Sequence, residues 1–397
     1  MFVKRLQDDR HRIAHISITM GPIRLRRISP LTVVVIVLLC IGAITFLLSP
    51  SSRDSASAKL RKASAASNPL SPPTSPFRKQ SSRSNGKRVP PPVVHYYLNN
   101  VTTSPNPVAN RETVLILTPL ARFYQEYWDN LLKLTYPHEL ITLAFIIPKT
   151  REGNAATLAL QEQITKTQTS GPEEKRFASI IIERQDFDPP IPSQDESERH
   201  KMENQKPRRA AMSRARNSLL FTTLGPSTSW VLWLDADIIE TPPTLIQDLA
   251  EHNKPIIVPN CFQRYIDPET KKPAERPYDF NSWQDSDIAQ KLGESMGPED
   301  ILLEGYGEMP TYRVLMAYLE ERNGDPKLEV PLDGVGGTAL LVKAEVHRDG
   351  AMFPPFSFYH LIETEGFAKM AKRLGWSSTG LPNYKVRFQY FPRRNSH

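Results

Sequence analysis

Asp235 and Asp237 bracket the tripeptide Asp235-Ala236-Asp237, which directly follows the apolar run Trp230-Val231-Leu232-Trp233-Leu234. Two carboxylates at the carboxyl end of a buried strand must be hydrated, hydrogen-bonded or bound to metal, because burying them bare is costly. Oxygen-only donors suit magnesium or manganese, which proteins commonly share with substrate phosphates. A cation held against a diphosphate neutralises the charge of a departing nucleotide. Upstream, Arg209 and Arg216 stand seven residues apart, two helical turns, and so share a face. On the helix expected over Pro207–Leu224, that spacing brings Arg216-Asn217 towards the strand end. Guanidinium groups facing a diphosphate form paired, charge-assisted bonds. The plainer alternatives are a capped loop for the acidic tripeptide and a solvated basic face for the arginines.

Elements able to hold these groups are legible around them. Thr113–Leu117 is an apolar strand ended by Thr118-Pro119, and residues 121–134 form an amphipathic helix with Phe123, Tyr127 and Leu131 in register. Leu140–Ile147 is a second strand stopped by Pro148, and Ile180–Ile182 follows a helical stretch over 152–167. The Pro207–Leu224 helix begins with proline at an N1-like position. After Trp230–Leu234 come a helix from about Pro242 and a strand at Ile256–Val258. Strands separated by helices imply a parallel, helix-covered sheet, whose ligands bind at the carboxyl ends of the strands. That rule selects the loops after Leu117, Ile147 and Leu234. Asp195–Arg209 reads as a charged loop, a solvated connection that could also close over a ligand.

The chain has 397 residues, is 39% hydrophobic and 23% charged, and carries a formal +7, so it can bury a full core. The positive charge is uneven. Residues 1–92 hold sixteen Lys/Arg against three acids, a local +13, which leaves −6 for residues 93–397. Nucleic acid is therefore not an expected partner of the C-terminal part. Leu31–Leu48 is free of charge, and with Ile28 included the run 28–48 is long enough to cross a bilayer. Its length and the lack of a cleavage site at its end favour an uncleaved signal anchor over a secretory h-region. Arg24, Arg26 and Arg27 beside it favour a cytosolic tail at 1–27, and the sequon Asn100-Val101-Thr102 agrees with a lumenal remainder. Residues 49–110, rich in Ser, Pro, Lys and Arg, read as a stem, leaving 111–397 as the folded domain. Two cysteines, Cys40 and Cys261, exclude a disulfide scaffold, and Cys261 is expected to be a buried thiol.

Several blocks together resemble a known family. Thr118-Pro119-Leu120, Ala215-Arg216-Asn217, WVLWLDADI, Asp333-Gly334-Val335-Gly336-Gly337 and Ala351–Trp376, with its LIETEGFAKM core, are similar to the fungal Golgi mannan polymerase subunits. These are α-1,6-mannosyltransferases that extend the N-glycan outer chain. The resemblance spans residues 111 to about 386 and implies a GT-A fold, α/β with a Rossmann-like mixed, mostly parallel sheet. It implies GDP-mannose as donor, a divalent cation such as Mn2+, an N-glycan mannan acceptor, and partner subunits in a Golgi-membrane complex, possible also in the endoplasmic reticulum. Carried over by position, Asp237 is the main metal ligand and Asp235 lies near ribose or metal. Thr118, Pro119 and Leu120 wall the nucleotide pocket, and Arg209, Arg216 and Asn217 surround the donor. Asp333–Gly337 and Glu363–Glu365 face sugar and acceptor, with Glu365 or Glu363 assisting the acceptor hydroxyl or a cationic sugar in a retaining transfer.

The family pattern also calls for a metal-binding His soon after Leu381-Pro382-Asn383-Tyr384, yet the next His in this chain is His397. Three readings stay open: a ligand elsewhere, with His360 nearest, weakened metal binding, or a different natural ending. The bland reading of His360 is a packed ring between Tyr359 and Leu361. Trp230, Trp233, Phe353 and Phe356 read as core, although the Phe-Pro-Pro-Phe turn could stack on a sugar. Two rival functions remain, a scaffold subunit without turnover and a same-fold transferase for another nucleotide sugar.

Overall fold

The computed structural model describes residues 83–84, 87–88, 95–185 and 201–389. The expected anchor at 28–48, most of the stem and His397 lie outside the described residues. Among the described residues no helix is long and apolar enough to cross a membrane.

The sheet forms where the sequence is apolar and β-branched. Its strands are β1 (Val114–Pro119), β2 (Ile141–Pro148), β3 (Ser179–Gln185), β4 (Trp230–Leu234) and β5 (Ile238–Glu240). They continue with β6 (Ile256–Ile266), β7 (Pro273–Pro277), and the later β10 (Val330–Leu332), β11 (Ala339–Lys343) and β12 (Ser378–Phe388). A separate two-stranded ribbon pairs β8 (Trp283–Gln284) with β9 (Val314–Leu315). The main order is β10-β12-β6-β11-β4-β1-β2-β3, with β5 added to β12 and β7 to β6. One half, β4-β1-β2-β3, is parallel throughout. In the other half β11 runs antiparallel to both β4 and β6, whereas β6 and β12 are parallel. The sheet is therefore mixed, and Ile256–Val258 does not extend the parallel set as a uniformly parallel reading would require.

Period-two alternation divides the core between the two faces. Val114 and Ile116 pack with Tyr127, Trp128 and Leu131 of α1 (Gln125–Lys133). That face also buries Ala156 and Leu160 of α2 (Arg151–Thr165) and Leu245 and Leu249 of α4 (Leu245–Glu251). Leu115 and Leu117 face the other way, onto Leu219 and Leu220 of α3 (Met202–Thr223). Removing one such Leu or Trp side chain from water contributes about 1.5–3 kcal/mol, so the paired faces fix the register of β1. Short α5 (Asp287–Ser295) and α6 (Ala344–Arg348) precede α7 (Glu363–Arg373), whose Phe367 and Ala371 join the α3 face.

Two boundaries differ from the sequence reading. α3 starts at Met202, so residues 202–209 of the expected loop are helical and Pro207 lies inside the helix. Near a helix start, a missing N–H removes only one internal bond. The end of the expected stem is attached to the domain: Ser104 N donates to Glu112 Oε2 at 3.1 Å, and buried Glu112 accepts Trp230 Nε1 at 2.7 Å. Asn100 of the sequon is exposed, and Cys261 is a buried free thiol.

Candidate active site

Parallel strands β1 and β4 end side by side, and the chain after β4 turns sharply, with Ile238 N donating to the Asp235 carbonyl at 3.0 Å. The turn leaves Asp235 and Asp237 half-buried while Ala236 points into the core. Asp235 N is tied to Thr338 O at 3.0 Å, and Gln389 N donates to the Asp237 carbonyl at 2.8 Å. The acidic tripeptide is thus held from both flanks by the antiparallel half of the sheet.

Arg209 and Arg216 do share a face of α3, and that face is buried against α7. Arg216 Nη2 bonds Asp235 Oδ1 at 2.9 Å, and its Nε bonds Glu363 Oε1 at 3.3 Å. Its guanidinium lies over Trp233 and Phe353, 5.3 and 5.6 Å from the ring centres. Burial pulls the Arg216 pKa down, but Asp235 and Glu363 outweigh it and hold the group above its ordinary value. Arg209 forms a short ion pair with Glu365 and donates to Asn281 Oδ1 at 3.0 Å. The solvated-face reading fails for both arginines. Each is committed to carboxylates, so their contact with a donor could be shared at most.

The two glutamates of α7 have different surroundings. Glu365 is fully buried, with Oε2 on Arg209 and Oε1 accepting Trp283 Nε1 at 2.8 Å. Burial raises its pKa, opposed by Arg209 and Arg313. With both oxygens engaged inside the core, Glu365 orients Arg209 and Trp283 and does not meet an acceptor hydroxyl. Glu363 keeps partial exposure at the start of α7 and acts electrostatically on Asp235. Its backbone is left-handed (φ 56°), as are Tyr359 and His360 shortly before it, and such strain concentrates at functional turns.

A further carboxylate, Asp279, belongs to the cluster. It is buried, accepts Asn281 N at 2.9 Å and Thr338 Oγ1 at 3.2 Å, and raises the pKa of Asp235. Desolvation, with Glu363 and Asp279 adding to it against Arg216, pushes Asp235 up to about 6. Asp279 has no local motif, sitting between Tyr278 and Phe280 after β7; only its closeness to the glycine block reveals it. A Cβ on Gly336 would lie 1.7 Å from Asp279 Oδ2, and one on Gly337 would lie 2.7 Å from Arg216 Nη2. On Gly334 it would strike the Trp283 ring at 2.3 Å. Asp333–Gly337 is therefore glycine-rich because three site side chains press on its backbone. Asp333 itself faces away, accepting Asp285 N and Lys372 Nζ at 2.9 and 2.6 Å.

The remaining candidates divide. Thr118 Oγ1 meets Tyr127 OH at 2.5 Å, and the Tyr127 pKa is raised by burial and further by Asp235 and Asp237, which places this pair beside the acids. Pro119 ends β1 half-buried, but Leu120 is wholly in the core and cannot wall a pocket with its side chain. Asn217 is also reassigned: its amide bonds both the carbonyl and the N–H of Phe353, at 2.7 and 3.0 Å, clamping the chain before α7. Phe353 is buried, whereas Phe356 is about half exposed.

His360 lies beside α5, its Nδ1 on the Asp300 carbonyl at 3.1 Å and its ring against Gly293. It is not brought to Asp235 and Asp237. Among the described residues no group of three or more His, Cys, Asp or Glu is arranged to hold a metal ion. The segment Leu381–Tyr384, after which the family pattern calls for a metal-binding His, lies within β12, bulged between Leu381 and Lys385. The chain meets the acidic turn at Gln389, whose buried Oε1 has no hydrogen-bond partner. This donor set is oxygen only. It fits a magnesium- or manganese-like ion that takes one or two carboxylates from protein and the rest from phosphate and water.

Fold and site together define an α/β domain that gathers carboxylates at the carboxyl ends of a parallel strand set and backs them with buried arginines. The chain belongs to the Anp1 family, whose profile matches residues 92–357. It is 56% identical over 300 residues to the mannan polymerase complex subunit MNN9 of Candida albicans, covering 75% of this chain and 80% of that one. Against mannan polymerase complex subunit mnn9 of Schizosaccharomyces pombe the figures are 57% over 291 residues, 73% and 84%. The mannan polymerase II complex ANP1 subunit of Saccharomyces cerevisiae is 36% identical over 305 residues, 76% of this chain and 60% of its own. The family resemblance seen in the sequence blocks is thus the family found. Among solved structures, the mannosyltransferase PcManGT of Pyrobaculum calidifontis, in complex with GDP-Man and Mn2+, aligns at 13% identity and TM-score 0.38, covering 74% of this chain and 61% of that one. An overlap of that size carries no conclusion about donor, metal or reaction.

Proposed function

We propose that this chain is a GDP-mannose-dependent α-1,6-mannosyltransferase of the GT-A type, acting with partner subunits in a mannan polymerase complex and extending the N-glycan outer chain. The observation that carries the proposal is the convergence of Asp235, Asp237, Asp279 and Glu363 at the strand ends, with Arg216 bonded between two of them. High identity to relatives named as mannan polymerase subunits supports the substrate class and the assembly. The type II Golgi-membrane setting rests on the charge-free run 28–48 and its flanking arginines.

Asp237 and Asp235 are the residues to hold a divalent cation, and that ion would neutralise diphosphate charge as the nucleotide departs. Thr118 and Tyr127 border the same end of β1 but are as buried as Leu120, so they brace the strand end behind the nucleotide side. Arg216 bonds both Asp235 and Glu363, and its charge offsets part of the repulsion between them. GDP-mannose and the product are both α-linked, so C1 keeps its configuration. Glu363, the glutamate open to the site, is placed to accept a hydrogen bond from the acceptor hydroxyl or to stabilise positive charge on the sugar ring.

The test uses the full chain, solubilised with its partners and supplied with GDP-mannose, manganese and an α-mannoside acceptor. Asp237→Ala should abolish transfer by this subunit while leaving the complex assembled. If the wild-type chain makes no product and Asp237→Ala leaves the complex's activity untouched, the scaffold reading replaces the enzyme reading. Stabilisation by UDP with manganese in preference to GDP would instead point to another nucleotide sugar.

A further inference from the structure

Beyond the acids, the molecule exposes a pair of stacked aromatic rings at the edge of the site. Phe280 and Tyr318 lie 5.8 Å apart at 24° between planes, and Tyr318 is 67% exposed. Phe280 is the residue between Asp279, which faces the carboxylate cluster, and Asn281, which accepts from Arg209. Consecutive Cα atoms are about 3.8 Å apart, so the backbone of Phe280 adjoins that of the clustered Asp279.

The rings are held in place from behind. Tyr318 ends a short 3₁₀ turn, Met316–Tyr318, whose first N–H donates to Ser282 O at 2.9 Å. Asn260 Nδ2 bonds both Met316 O and Pro382 O, at 3.3 and 3.0 Å, and Glu320 pairs with Lys385 at 2.7 Å. Behind Phe280, Gly305 leaves room that a Cβ, 3.5 Å from the ring, would begin to fill. A backbone fixed at these points limits the positions from which the Tyr318 ring can present its face.

The sheet decides what such a face meets. The Thr118–Tyr127 pair lies at the end of β1 in the parallel half, the side where nucleotides bind in open α/β sheets. The Met316–Tyr318 turn that carries Tyr318 is bonded through Asn260 to β6 and β12, strands on the far side of β4 from β1 in the sheet. We infer that Phe280 and Tyr318 form an acceptor-sugar platform, on which the apolar C–H face of a pyranose of an α-mannoside chain stacks next to the reacting centre. The inference rests on the acceptor side of the proposed reaction and adds to it the element that recognises the acceptor.

The experiment compares wild type, Tyr318→Ala and Tyr318→Phe in the full chain, with a short α-1,6-mannoside as probe. Two readouts separate the platform from catalysis: ligand-detected NMR of mannoside binding in the presence of GDP and manganese, and acceptor KM with kcat. Tyr318→Ala should weaken mannoside binding and raise acceptor KM about tenfold, the size of one lost aromatic stacking contact. Tyr318→Phe should restore both, because the face and not the hydroxyl does the binding. GDP affinity by thermal shift should stay within about twofold in all three. Mannoside binding that is absent in wild type, or equal in Tyr318→Ala, overturns the platform. Weakened GDP binding with unchanged mannoside binding overturns it in favour of a nucleobase platform. If wild type binds mannoside but transfers nothing, the platform stands and the catalytic reading falls.

Discussion

His347 is the group whose protonation the fold forbids most clearly. Its Nδ1 donates to Ala351 O at 2.8 Å and its Nε2 accepts Trp233 Nε1 at 3.3 Å, an arrangement only the neutral ring can make. Phe353 and Phe367 crowd it, with ring centres 6.2 and 5.3 Å away. Burial is the main cause that drives its pKa down to about 4. Above pH 6.5 the imidazole is neutral whether the chain is folded or not, and its contribution is constant. Below that, the unfolded chain takes up a proton the folded one refuses, so stability falls as pH drops towards 4. The gap between 6.5 and about 4 corresponds to about 3 kcal/mol, lost at about 1.4 kcal/mol per pH unit.

The matched variant is His347→Gln, which keeps a donor and an acceptor but does not titrate. Urea unfolding of both proteins, followed by tryptophan fluorescence at pH 7.5, 6.5, 5.5 and 4.5, gives the stability difference at each pH. Carboxylates titrate alike in both proteins and cancel in that difference. Wild type should lose its advantage steadily below pH 6.5. A difference that stays flat from pH 7.5 to 4.5 would refute the argument that the buried neutral imidazole is what the fold selects. The consequence reaches the site, because Trp233 and Phe353, which His347 braces, carry the Arg216 guanidinium.

Other substitutions separate the roles assigned to neighbouring residues. Gly336→Ala should displace Asp279, costing about 1–3 kcal/mol in unfolding free energy and most of the transfer activity, whereas Gly307→Ala, with open space around it, should be near neutral in both. Glu363→Gln should lower kcat at least a hundredfold with Tm little changed, while Glu365→Gln should cost about 3 kcal/mol by leaving buried Arg209 without its countercharge. Asn217→Ala should lower stability by about 2 kcal/mol through loss of the Phe353 clamp, with GDP affinity in a thermal-shift titration changed less than twofold.

What the sequence revealed and what it hid follow from range of interaction. β1, β2 and β4 are short apolar runs bounded by proline or polar residues, and all three fall where the pattern places them. The Asp235–Asp237 turn is local in the same sense. β11 and β12 were not legible, because their partners are long-range and Pro382-Asn383 interrupts the apolar pattern of β12 at its bulge. Arg209 and Arg216 were found by helical spacing, but spacing could not tell a diphosphate from the glutamates 147 and 156 residues away that bind them. Leu120 and Asn217 belong to family blocks for packing reasons, which a block of identities cannot separate from ligand binding. Asp279 went unseen since no neighbour in sequence marks it; the mark is the bare glycine facing it.

The charge count at the strand ends argues about function in its own right. Among the described residues Arg209 pairs with Glu365 and Arg216 with Asp235 and Glu363, while the nearby Arg313 pairs with Asp285 and Glu304. The carboxylates act unfavourably on one another, since Glu363 and Asp279 both push the Asp235 pKa upward. A nucleoside diphosphate would add further negative charge to the same place, and at a few ångström such repulsion is not screened by salt. On the proposed reading an added cation would offset that charge, and Asp235 and Asp237 are the carboxylates placed to hold it. Replacing buried carboxylates by apolar residues of similar volume is often neutral or stabilising, so packing alone does not account for the cluster, in keeping with the proposed metal-assisted transfer.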